Sequence, residues 1–80
     1  SEHLRFTAQV EVVDAAEADV TLLKPRILDV LNSYLRAIDT ASIEDPQAMA
    51  RLRAQMLRRV QIVTGEGRVR DLLITEFVLN

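Results

Sequence analysis

His3 is the only histidine in the sequence, and it sits near a chain end beside the first strand. A general base needs an orienting partner and a pocket, and a lone histidine near a chain end brings neither, so a structural role is the simpler account. Glu44 and Asp45 form an acidic pair, but they sit at a helix start signal, where capping and the helix dipole explain them. Asp29 and Ser33 are one helical turn apart with no histidine nearby, so a hydrolase triad lacks its base. Gly65-Glu66-Gly67-Arg68 has the composition of a phosphate cradle. Its polarity is wrong, because phosphate loops follow a strand and open a helix, whereas this turn follows a helix and precedes a strand. With no cysteine available, a thiol nucleophile, a disulfide framework and a zinc knuckle are excluded. The residues assign no catalytic, cofactor-binding or metal-binding position.

Charge offers more than titration. Residues 1–50 hold nine acids against Arg5, Lys24, Arg26 and Arg36, a net of −5, while residues 51–80 hold six arginines against three acids, a net of +3. Arg51, Arg53, Arg58 and Arg59 are therefore candidate contacts for an acidic partner, although helical geometry puts 51 and 58 on one side and 53 on another. An RNA-binding module is the competing use of such arginines. The overall charge of −2 and the scarcity of stacking aromatics, limited to Phe6, Tyr34 and Phe77, argue against nucleic acid as a partner.

Periodicity supplies the elements that must position these residues. Leu4, Phe6, Ala8, Val10 and Val12 alternate with polar residues, the period of a half-buried strand. Glu17 and Asp19 suit the first turn of a helix, and Val20, Leu23, Ile27, Leu31, Tyr34, Leu35 and Ile38 continue one apolar stripe. Pro25 interrupts the stripe without shifting its phase, which predicts one kinked helix. The polar stretch 39–45 reads as a connection. Asp45-Pro46 then starts a helix carrying Met49, Leu52, Met56, Val60 and Val63, and Gly65 stops it. Val69 to Leu79 is a second strand, with Leu72, Ile74 and Val78 on one face and Leu73, Phe77 and Leu79 on the other, so both faces look apolar. Leu73 and Phe77 become candidate interface anchors if the far face is exposed.

The expected class is therefore α+β, a small sheet in strand-helix-helix-strand order with two amphipathic helices on one face. Eighty residues with 49% hydrophobic and 28% charged side chains describe a single globular domain over residues 1–80, too small for an elaborate enzyme. Two strands alone rarely make a stable sheet, so a third is expected from upstream residues or another subunit. The longest apolar runs are three residues, far below the roughly 20 that cross a bilayer. The opening at Ser1, without a methionine or signal pattern, suggests a piece of a longer chain whose anchor lies upstream.

Three stretches in order resemble one family. Gly65-Glu66-Gly67-Arg68-Val69-Arg70-Asp71-Leu72-Leu73-Ile74-Thr75-Glu76-Phe77-Val78-Leu79 is similar to the closing segment of the flagellar basal-body-associated FliL family, with its glycine pair, basic residues, apolar run and Thr-Glu-Phe. Pro25-Arg26-Ile27-Leu28-Asp29 resembles its Pro-Arg-Ile-x-Asp stretch, and Asp45-Pro46 through Leu52-Arg53 its second helix. Asp45-Pro46-Gln47-Ala48 departs from the Pro-Glu-Gly turn of many members. The resemblance implies a non-enzymatic domain on the periplasmic side of the bacterial inner membrane, tethered by an upstream helix, with a stomatin- and prohibitin-like fold. It further implies a homo-oligomeric ring, association with the stator proteins MotA and MotB, and support of torque and motility, with no cofactor. A stomatin-like scaffold unrelated to motility is the alternative.

Overall fold

The computed structural model describes residues 3–38 and 44–80. Strand β1 (Leu4–Val12) leads through a short 3-10 turn (Asp14–Ala16) into helix α1 (Glu17–Leu22) and helix α2 (Lys24–Ala37). Helix α3 (Pro46–Thr64) and strand β2 (Val69–Leu79) follow. The expected α+β class holds, with helices on one face of an antiparallel two-stranded sheet. The polar connection expected at 39–45 lies outside the described residues over 39–43.

The single kinked helix is replaced by two. The chain breaks at Leu23 (φ −90°, ψ 2°), whose amide donates to the Val20 carbonyl at 3.0 Å in a tightened last turn. Pro25 falls in the first turn of α2, where an amide has no intrahelical acceptor to lose. Starting a new helix one residue before the proline avoids the cost of about 3 kcal/mol for a proline inside a continuous one. The apolar stripe keeps its phase across the break, which explains why periodicity alone does not reveal it.

Helix α3 begins and ends as its sequence signals require. The Gln47 amide donates to the Asp45 side chain at 3.0 Å, and Pro46 occupies the first turn. Asp45→Ala should therefore lower the unfolding free energy by about 1 kcal/mol, read from urea melts followed by circular dichroism; an unchanged midpoint would deny the cap. At the other end Gly65 adopts φ 97°, and its amide donates to the Gln61 carbonyl at 2.9 Å. Between them Leu52, Met56, Val60 and Thr64 make one buried line, and the Thr64 hydroxyl donates to the Val60 carbonyl at 2.8 Å. That bond satisfies the one buried polar side chain among the described residues.

The second strand differs most from expectation. Leu4, Phe6, Ala8, Val10 and Val12 pair with Leu79, Phe77, Ile74, Leu72 and Val69, so Thr75 and Arg70 are extra residues on β2. Each bulge inverts the alternation of the strand. Phe77 and Leu79 thereby join Leu72 and Ile74 on the helix-facing side, and the two-faced apolar strand expected from strict alternation does not exist. The Thr75 bulge also moves Val78, expected beside Leu72 and Ile74, to the outer face with Leu73, and both are exposed. The Thr75 hydroxyl donates to the Thr7 carbonyl at 3.3 Å, and Phe6 meets Phe77 edge-on at 6.0 Å and 88°. Among the described residues the sheet has two strands, covered on one face only.

Candidate interaction surface

The four candidate arginines sit on one helix, but the fold gives them different partners. Arg51 and Arg58 both lie on the exposed side of α3, two turns apart, as the spacing requires. Arg58 Nη1 lies 3.9 Å from Glu66, a loose and exposed pair, and among the described residues Arg51 has no ion pair. Arg53 turns toward β2, donating to Asp71 Oδ1 at 2.9 Å and to the Leu72 carbonyl at 3.3 Å. Arg59 turns the other way and places its guanidinium 4.5 Å from the centroid of the Tyr34 ring on α2. Arg51 and Arg58 thus form an outward pair, while Arg53 and Arg59 bind their own chain.

The charge split along the sequence is not a split in space. Because β1 pairs with β2, early and late charges become neighbours: Arg5 lies 3.4 Å from Glu76, and Arg68 lies 3.6 Å from Asp19. Exposed pairs of this kind contribute about 0–1 kcal/mol each, so they partly neutralise the halves without tying them tightly.

Leu73 and Phe77 are also separated. Leu73 is exposed on the outer face, whereas Phe77 is half-buried against Phe6 on the helix-facing side because of the Thr75 bulge. Of the residues with possible chemistry, His3 exchanges both backbone hydrogen bonds with Asn80 at 2.7 and 2.8 Å, closing the end of the ladder. Asp45 is engaged as a cap, and Gly65 to Arg68 make the helix stop and turn. Among the described residues no group of three or more histidines and acids is placed to hold a metal ion, and no helix is long and apolar enough to cross a membrane.

A groove is the surface that sequence patterns did not reveal. Helix α3 covers β2, but α1 and α2 stand off from β1, leaving a cavity of about 380 Å³ between Ala8, Val10 and Val12 on one wall and Ile27, Leu28 and Leu31 on the other. A second cavity of about 460 Å³ continues it past Leu4 and Phe6, and Leu28 and Leu31 line both. The only signal in the sequence is indirect: a fully alternating strand in a chain with too few strands to cover its edge.

The chain as a whole is similar to known proteins. The family model for the flagellar basal body-associated protein FliL matches residues 1–79. The flagellar FliL proteins of two strains of Caulobacter vibrioides, NA1000 / CB15N and ATCC 19089 / CIP 103742 / CB 15, are each 31% identical to it over 81 residues. All of this chain is covered, and it spans 40% of the length of those relatives.

Proposed function

Because this chain belongs to the FliL family of flagellar basal body-associated proteins, we propose that it is a non-enzymatic scaffold on the periplasmic side of the inner membrane that associates with the stator proteins MotA and MotB and supports torque. Its role at the flagellar basal body follows from the family; the stator, the ring and the periplasmic placement are the proposal. The observation that carries it is the match over nearly the whole chain. In this reading 1–80 is one periplasmic domain held near the membrane by a segment outside it, and copies assemble into a ring.

The outward pair Arg51 and Arg58 supports a contact with an acidic surface of a neighbouring copy. Each side chain is exposed, so the contribution is that of rim charges, modest in energy and sensitive to salt. Reversing both to Glu should weaken self-association about fivefold at low ionic strength, with the difference vanishing in high salt. Sedimentation at two salt concentrations reads this, and equal association at low salt removes the arginine contact.

Imaging of the tagged full-length protein, with and without the stator genes and alongside swimming assays, tests the larger claim. Stator-dependent foci at flagellar bases and a motility defect on deletion are the expected results. Diffuse envelope signal with normal swimming would replace the proposal by a membrane scaffold with another client.

A further inference from the structure

The two edges of the sheet are treated differently. His3 and Asn80 exchange both backbone bonds, and the Val13 amide donates to the Arg68 carbonyl at 2.9 Å, so the odd-numbered residues of β1 direct their amides and carbonyls to β2. By the same alternation Leu4, Phe6, Ala8, Val10 and Val12 direct theirs to the outer edge. On the outer edge of β2, helix α3 supplies partners: Gln61 Nε2 donates to the Val69 carbonyl at 3.0 Å and Arg53 to that of Leu72. On the outer edge of β1, among the described residues, no side chain does so. An edge with five residues' worth of unpaired backbone, standing over an apolar groove, is a template for another strand.

We propose that the strand it accepts is β1 of a second copy of this chain, antiparallel about a two-fold axis through Ala8, which fuses two sheets into one of four strands. The pattern of β1 is self-complementary in this register. Outward-pointing residues must face one another, so Ala8 meets Ala8 of the second copy, Phe6 meets Val10 and Leu4 meets Val12. All nine residues of the strand are then used. On the solvent face the same register sets Arg5 opposite the second copy's Glu11, twice by symmetry, and Thr7 opposite Gln9. These fall at the closely spaced, non-hydrogen-bonded positions, where opposite charges interact best across strands. Slipping the register by two residues loses both charge pairs.

The groove supports the same arrangement from the other side. Leu28 is 50% exposed and lines both cavities, which places it above the middle of β1. The axis through Ala8, whose side chain is the smallest on that wall, brings the two Leu28 side chains together over the joint and removes apolar surface from water. A contact in which the same patch serves both copies is what two-fold symmetry demands. The joint uses neither Arg51 nor Arg58, so it stands independently of the ring and stator proposal.

Charge exchange tests it. Arg5→Glu and Glu11→Arg, made singly, each set like charges opposite one another at two positions, and each should raise the dimer dissociation constant about tenfold or more in sedimentation experiments across a range of concentrations. Arg5→Glu also removes the pair with Glu76 inside the chain, so a loss in that variant alone is ambiguous. Mixing the two variants resolves this. Arg5→Glu presents two acids and Glu11→Arg two bases, so the mixture should form heterodimers near wild-type strength although neither variant pairs with itself. A mixture no more associated than its components, or a wild-type chain that stays monomeric at every concentration, overturns the joint. If the wild type forms larger assemblies, the comparison is made on the Arg51→Glu, Arg58→Glu background. Dimers persisting there separate this joint from the arginine contact, and monomers there overturn the joint.

Discussion

Leu72→Ala should lower the unfolding free energy by about 3 kcal/mol, while Leu73→Ala, one residue along, should change it by less than about 1 kcal/mol. The two residues have the same side chain in the same strand, and strict alternation on an apolar strand gives no reason to rank them. The fold does. Leu72 is 0% exposed, packed under α3 with Met56 and Val60, whereas Leu73 is 50% exposed on the outer face. Truncating Leu72 removes buried methyl groups and leaves a cavity that the flanking helix cannot wholly close. For a domain of this size the loss is a large fraction of a total stability of roughly 4–12 kcal/mol. Urea melts followed by circular dichroism, at one protein concentration, read both variants. Equal losses would mean that β2 does not turn Leu72 inward under α3 and Leu73 outward.

Gly65→Ala should cost about 2 kcal/mol, through the backbone and not through a clash. At φ 97° and ψ 147° the residue sits where side chains are strongly disfavoured, yet a Cβ built there meets only the Arg68 side chain, at an ordinary 3.8 Å. The position cannot relax freely. Its amide closes the last turn of α3, and the turn it begins delivers Val69 into the core, 2% exposed. The same denaturation measurement checks it, and a loss below about 0.5 kcal/mol would show that the turn can be rebuilt with a right-handed residue.

These tests bear on function through the sheet. The open β1 edge and the outward arginine pair are the two separate surfaces proposed for assembly. The first depends on the bulged register of β2 holding β1 in place, and the second on the cap and stop that fix α3.

Local signals were legible because their physics is local. The alternation of β1, the Asp45-Pro46 start and the Gly65 stop each depend on neighbours a few residues away, and all are present as read. The family was legible for a related reason, since the resemblance rests on three short stretches read in order, and the family model matches residues 1–79. Strand pairing decided the rest. Where β2 bulges is set by which of its residues can meet β1 and α3 at once, and that moved Phe77 to the core side while leaving Leu73 outside. The partners of the arginines were equally hidden: Asp71 reaches Arg53, and Tyr34 reaches Arg59, only after α3 has packed between β2 and α2. The break at Leu23 and the groove beside β1 belong to the same class, because a helix stripe records which residues face inward but not how closely the neighbouring element approaches.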